Sequence, residues 1–294
     1  MRDGKQQLLI TGASGRLAKR AAEIVLATYP PERLVLVSRS PDALAEFAKR
    51  GAVVRFGDFA EPGSLHDAFA GSERMLLVST TDLENRTELH GAAIDAAAAA
   101  GVEHVIYTSG LAPAPPNPAV VAPSHHATEQ RLAAAGVTWT VLRNSLYADY
   151  QVADAERAMK TGALIHNRGA GRVAYVARED CAAAAAAVLV ADENENAVYD
   201  ITGPEAYRAE DLARLYGELG GTHVEAISLD DAAFVASLVG DATDDDHLKY
   251  GAKLVASFGQ SIREGFMASC TDTVEQLTGR SARSLRDVLE SVRP

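Results

Sequence analysis

The sequence predicts an α/β protein, a doubly wound parallel sheet followed by a small, mainly helical C-terminal lobe. Three observations predict it. Short apolar runs alternate with stretches of helical periodicity as far as Pro204. A glycine turn joins the first run directly to the first helix. Beyond Pro204 apolar runs become rare and helices with polar faces take over. Strands that alternate with helices lie parallel, because each crossover returns the chain to the same end of the sheet. Both faces are then covered, and ligands gather outside the C-terminal strand ends.

The elements follow in order. Leu8-Leu9-Ile10 is the first strand and runs through the turn Thr11–Gly15 into a helix. Leu34–Val37 reads as a fully buried strand, and a helix opens at Pro41. Val53–Phe56 and Met75–Val78 are strands, with a short helix over Ser64–Phe69 between them. Asn85–Ala100 is a long helix, and Val102–Tyr107 is a strand ending at Thr108-Ser109-Gly110. Leu111–Pro123 holds five of the eleven prolines and reads as a loop over the sheet edge, long enough to act as a lid. Ser124–Ala135 is a helix, Val137–Leu142 a strand and Asn144–Lys160 helical. Val173–Val176 and Ala197–Ile201 read as strands around the alanine-rich helix Glu179–Val190. Further helices are expected at Ala209–Leu219, Asp230–Val239, Asp246–Met267 and Ser284–Ser291. The expected division is residues 1–203 and a lobe of residues 204–294, with 144–170 contributing to the cleft between them.

Composition narrows the function. The chain has 294 residues, 47% apolar and 23% charged, enough to bury a core without staples. A net charge of −12 argues against nucleic acid or an anionic membrane surface as partner. Two cysteines, Cys181 and Cys270, fit no disulfide framework or zinc spacing. The first strand follows the N-terminus closely, leaving no room for a signal peptide, and Ala182–Val190 is too short to span a membrane. A reduced, cytoplasmic monomer or homodimer is expected. The acidic cluster Asp241–Asp246 reads as a solvated loop and helix start, and no metal site is expected.

The glycine turn is a phosphate cradle in pattern. Gly12 permits the tight turn, Gly15 has no Cβ to obstruct a pyrophosphate, and Ala18 lets the helix pack closely on the sheet. The helix N-terminus at Ser14, Gly15, Arg16 and Leu17 offers N–H groups and a positive dipole end. The spacing is G-x-x-G-x-x-A, a variant of the dinucleotide fingerprint. The second strand ends in Ser38-Arg39, without the carboxylate that binds a ribose 2′-hydroxyl. Arg39 suits a 2′-phosphate and so NADPH, with Arg16 adding a second charge to the same phosphate or to the pyrophosphate. A solvated strand-end arginine is the plainer alternative. Asp58 and Phe59 are placed for the adenine, and Ser79, Thr80 and Thr81 for the path to the nicotinamide.

The words Thr11-Gly12-Ala13-Ser14-Gly15, Gly57-Asp58, Tyr107-Thr108-Ser109, His125…Thr128-Glu129 and Leu142-Arg143-Asn144…Tyr147 span residues 6–205 in order. With them the chain resembles the NmrA-like atypical short-chain dehydrogenases. It is most similar to the NADPH-dependent quinone oxidoreductases of the QorB type and to triphenylmethane reductases. The resemblance implies a Rossmann-type domain that binds NAD(P)H. It also admits redox sensors without turnover, and reductases of lignan- or isoflavone-like aromatics.

Ordinary short-chain dehydrogenases carry Tyr-x-x-x-Lys on the helix after the fifth strand. Here His125 stands in the tyrosine's place and Glu129 in the lysine's. Without that proton donor, a conjugated or aromatic acceptor that delocalises the incoming electrons is favoured over a simple ketone. His125 is the remaining candidate acid, with Glu129 one turn on to raise its pKa, or the two form an ordinary helix pair. Ser109 is a candidate donor to an acceptor oxygen, or a strand-end cap. Tyr147 and Tyr150, with Gly110, Leu111 and Asn144, are expected to line the acceptor cleft, or to pack in the core. His90 and His104 read as surface residues and His166 as a loop residue.

Overall fold

The computed structural model describes residues 6–191, 193–240 and 245–292. The chain opens with β1 (Leu8–Ile10), α1 (Arg16–Val25), β2 (Leu34–Ser38), α2 (Ala45–Lys49), β3 (Val53–Phe56) and α3 (Pro62–Phe69). It continues through β4 (Arg74–Leu77), α4 (Arg86–Ala99), β5 (His104–Gly110), α5 (Ala122–Ala133) and β6 (Thr138–Asn144). Then come α6 (Gln151–Thr161), β7 (Ala163–His166), α7 (Arg178–Val190) and β8 (Ala197–Ile201). The last part holds α8 (Ala209–Gly220), β9 (Glu225–Ser228), α9 (Asp231–Val239), α10 (Asp246–Arg263), α11 (Thr273–Thr278) and α12 (Leu285–Ser291).

Among the described residues seven strands form one parallel sheet in the order β3-β2-β1-β4-β5-β6-β8. The order reverses between β1 and β4, which opens the crevice where a doubly wound sheet binds ligands. Period-two alternation assigns the faces. Ile10, Leu36, Leu76, Ile106 and Leu142 pack under α1 and α7, while Leu9, Val35, Met75, Val105, Tyr107 and Val141 face α3, α4 and α5. The alanines of α7 let it lie close against α1 and the sheet.

Several expectations are corrected. Val173–Val176 is not a strand; it makes only single bridges, Val173 to Tyr207 and Val176 to Tyr147. Beyond Pro204 helices dominate as expected, and among the described residues one short strand, β9, pairs in parallel with β7 in a separate two-stranded sheet. Asn144 ends β6, so α6 begins at Gln151 after a single 3₁₀ turn. A second hydrophobic cluster joins Leu111, Ala148, Leu164 and Tyr175 to Leu212, Tyr216, Ile262 and Leu289, so both parts of the chain build it. Of the acidic cluster, Asp241–Asp244 lies outside the described residues. Asp245 caps α10, accepting from Leu248 N at 3.0 Å. Among the described residues no helix is long and apolar enough to cross a membrane.

Two buried charges fasten α7. Arg74 is 1% exposed and donates to Leu189 O and Val188 O at the helix C-terminus, at 2.9 and 2.8 Å. A cation there complements the dipole. His104 is therefore buried, bonded to Arg74 and Thr140, and not a surface residue. At the other end Asp180, 0% exposed, accepts from Arg280 Nη1 at 2.6 Å and Arg283 N at 2.7 Å. Asp180→Ala should destabilise the fold by roughly 1.5–3 kcal/mol, because a part-buried N–H and a half-exposed guanidinium lose their charged acceptor together. Urea denaturation reads this, and an unchanged midpoint would contradict it.

Candidate functional site

The glycine turn has the geometry of an anion cradle. Gly12 sits at φ +59°, a left-handed conformation that favours glycine. Ala13 N donates to Val37 O and Gly15 N to Gly12 O, folding the turn over the ends of β1 and β2. Gly15 is the N-cap of α1 and provides no side-chain cap, so the first-turn N–H groups face outward with no acidic residue beside them. A Cβ on Gly15 would lie 3.1 Å from Gly12 O. These features fit a pyrophosphate. Ser14 is exposed and accepts from Ser38 Oγ at 3.0 Å, linking the turn to the end of β2. Leu17 is buried, so only its backbone belongs to the cradle.

Arg16 and Arg39 are exposed, and among the described residues neither side chain makes a hydrogen bond. Asp82 approaches Arg39. Its carboxyl is held below the ordinary range first by Asn85 and, less strongly, by that guanidinium. Asp58 accepts from Ala60 N at 3.0 Å and is half-buried, and Phe59 meets the His90 ring edge-on at 6.5 Å. Ser79 N donates to Thr108 Oγ1 at 2.9 Å, and Thr81 is exposed.

Between α4, α5 and β5 lies a buried polar network. Thr80 N donates to His90 Nε2 at 3.0 Å, which places the His90 proton on Nδ1, 3.1 Å from Thr128 Oγ1. Arg86 donates twice to Thr80 O, at 3.2 and 3.0 Å, and once to His125 Nε2 at 3.1 Å. His125 Nδ1 lies 2.7 Å from Tyr107 Oη. Burial, then the Arg86 charge, push His90 down to about 3 and His125 well below the usual histidine range. Burial also raises the Tyr107 phenol.

The expectation that Glu129 raises the pKa of His125 is thus overturned. Glu129 turns instead to Ser109 Oγ, which donates to it at 2.7 Å, and to Arg143, which forks onto both its oxygens at 3.0 and 2.7 Å. Ser109 and Arg143 are register partners on β5 and β6. This bidentate pair raises the Arg143 guanidinium further.

Neutral buried histidines make stability pH-dependent. Unfolded, each titrates near about 6.5. The unfolded chain then binds more protons as the pH falls, so stability is full above about pH 6.5 and declines below it. The expected slope is about 1.4 kcal/mol per pH unit for each histidine. Urea midpoints between about pH 7.5 and 5 measure this, and a flat profile would contradict the burial of these rings as neutral species.

The acceptor side lies at the ends of β5 and β6. Asn144, in register with Gly110, is 8% exposed, and its Oδ1 has no hydrogen-bond partner among the described residues. Its Nδ2 reaches Tyr147 Oη at 3.4 Å. Tyr147 is half-buried and Tyr150 is 65% exposed, their rings 6.0 Å apart with the Arg178 guanidinium over both. Leu111 is buried and begins the proline-rich segment. That segment is anchored: Asn117 Nδ2 donates to Ala112 O, and Val120 N donates to Ser257 Oγ of α10 at 3.1 Å.

The family model described as NAD(P)H-binding matches residues 12–192, from the glycine turn to the end of α7. The chain belongs to this NAD(P)H-binding family. The likeness to NmrA-like reductases read from the sequence holds. Quinone oxidoreductase 2 of Escherichia coli is 32% identical over 280 residues, covering 95% of this chain and 96% of that protein. A crystal structure of an E. coli NADPH-dependent quinone oxidoreductase complexed with NADPH superposes with TM-score 0.92 at 30% identity, covering 97% of this chain and 99% of that one. The Citrobacter sp. triphenylmethane reductase complexed with NADP(H) gives TM-score 0.89 at 28% identity, covering 98% and 100%.

Within this NAD(P)H-binding chain, four polar residues at the site have no site role in the sequence reading: Arg86; Tyr107 and Arg143, quoted there only for the resemblance; and His90, read as a surface residue and in fact buried. A signal was present. Arg86 and His90 continue the buried stripe of Ala93 and Ala97 on α4, while His125 and Thr128 continue that of Leu132 on α5. His166 is likewise buried, at the end of β7.

Proposed function

We propose that this protein is an NADPH-dependent oxidoreductase that transfers hydride to a quinone-like or other conjugated electrophilic small molecule. One observation carries the reading: at the place of the missing Tyr-x-x-x-Lys pair, His125 is buried and neutral, and Glu129 is clamped by Arg143. A site so built offers no ready acid to a nascent alkoxide. A quinone-type acceptor takes hydride as a delocalised anion and draws its proton from solvent, so positioning matters more than acid catalysis. The names of the relatives, a quinone oxidoreductase and a triphenylmethane reductase, support the same acceptor class.

NADPH, when bound, supplies the hydride. Gly12, Ser14, Gly15, Arg16 and Leu17 hold its pyrophosphate, with Arg39 on the 2′-phosphate. Asp58 and Phe59 flank the adenine. Ser79, Thr80, Thr81 and Glu129 line the nicotinamide half. Ser109, His125 and Tyr147 position the acceptor, with Gly110, Leu111, Asn144 and Tyr150 around it. Residues 1–203 carry the cofactor, while 204–294 with 144–170 shape the cleft. The setting is reduced and cytoplasmic, the protein a monomer or homodimer. Purified protein with NADPH, assayed at the nicotinamide absorbance against quinones, enones, triarylmethane dyes and simple ketones, tests this. Oxidation with the quinones and dyes is expected. Tight NADPH binding without turnover of any acceptor would replace the enzyme with a cofactor sensor.

His125→Ala should then lower kcat on a quinone by less than the roughly 10²–10⁴-fold that loss of an essential general acid brings. A thousandfold loss, with a pH dependence that vanishes in the variant, would make His125 the acid.

A further inference from the structure

Arg86 is 5% exposed, and among the described residues no carboxylate bonds it. Its acceptors are all neutral: Thr80 O, His125 Nε2 and, at 3.4 Å, Ser124 Oγ. A guanidinium only donates, so the ring nitrogen it faces must carry a lone pair. His125 is then limited to one form, neutral with its proton on Nδ1 and directed at Tyr107 Oη. An imidazolium would set an N–H against an N–H. The same ring forms the wall behind the β5 strand end. A Cβ built on Gly110 would meet its Cδ2 at 3.3 Å. Arg86 thus couples the β4 end, through Thr80, to α5 and to the floor of the acceptor side.

We propose that Arg86 is a positioning residue that locks His125 as the neutral Nδ1–H imidazole against Gly110 and ties it to Thr80. Burial already disfavours the imidazolium, and Arg86 adds to it by its charge and by fixing which ring nitrogen carries the proton. The charged and titratable groups that face His125 are Arg86 and His90 from α4 and Tyr107 from β5, while Glu129 on its own helix is taken by Ser109 and Arg143. Tyr250 of α10 and Asp82, in the segment between β4 and α4, are within electrostatic reach of Arg86. Among the described residues no carboxylate bonds the His125 ring, whose charged neighbours are Arg86 and His90.

Nitrogen-15 NMR of the histidine rings in the full-length protein tests the lock without requiring turnover. His125→Asn assigns the resonance. The parent should show His125 as the Nδ1–H tautomer, untitrated from about pH 8 to 5. Arg86→Met should release it to a tautomer mixture, with a protonation midpoint raised by at least about one unit. Arg86→Lys should keep the parent form. Arg86→Gln retains a donor and removes the charge, so it should keep the tautomer and raise the midpoint; it serves as the folded control should the methionine variant not fold. A protonated His125 in the parent, or an unchanged tautomer and midpoint in both Arg86→Met and Arg86→Gln, would overturn the proposal. The kinetic arm rests on the proposed reductase activity. On a quinone, kcat should be flat with pH in the parent and gain a step at the NMR midpoint in Arg86→Met. A parent inactive on every quinone would refute the reductase reading, while the NMR result would still decide the role of Arg86.

Discussion

Gly15→Val should abolish NADPH binding and leave the fold intact. Gly15 has φ −75° and ψ 154°, ordinary extended backbone that valine adopts readily. The substitution therefore carries little backbone strain. What changes is space: the new Cβ would stand 3.1 Å from Gly12 O, and a branched side chain would add its bulk at the N-cap of α1. The pyrophosphate then loses its approach to the N–H groups. Each charge-assisted bond contributes about 1.5–3 kcal/mol, so losing two or three weakens binding by at least about a hundredfold. Gly12→Val is a poorer test, since φ +59° penalises any β-branched residue and confounds stability with binding. Titration of NADPH fluorescence beside a thermal melt separates the two effects. A variant that melts normally and binds with parent affinity would show that the turn is not the cradle.

The second large effect is cofactor choice. NADPH should bind the parent more tightly than NADH, and Arg39→Ala should remove most of the difference. One or two forked bonds from an exposed guanidinium to the 2′-phosphate correspond to roughly 10–150-fold. Asp82 stands near Arg39 and is ionised, so it repels the same phosphate and holds the preference at the lower end. Equal affinities in the parent would overturn the assignment of Arg39.

The sheet was legible because most of its strands centre on a short apolar run that leads into a helix. β7 and β9 were not, for physical reasons. Each has four residues, with one apolar side chain, Ile165 or Ile227, on the exposed face. Such a pattern cannot outweigh the helices beside it. Val173–Val176 erred the other way: high strand propensity, but only loop partners to bridge. At the site, the glycine turn was readable because backbone conformation restricts the residue type. The Arg86–His125–Tyr107 network was not, because its members come from three elements and only the fold aligns them. Glu129 shows the limit most clearly. Spacing of four on α5 placed it beside His125, whereas Ser109 and Arg143, from two strands, are what hold it.

Hydride transfer that needs no protein acid leaves its mark in the pH dependence of acceptor choice. The measurement is kcat/KM with NADPH for one quinone and one simple ketone, from roughly pH 5 to 9, a span that brackets histidine titration. Quinone reduction should show no histidine-range inflection, and the ketone should give no measurable turnover. Comparable rates on the ketone, with an inflection lost in His125→Ala, would contradict it.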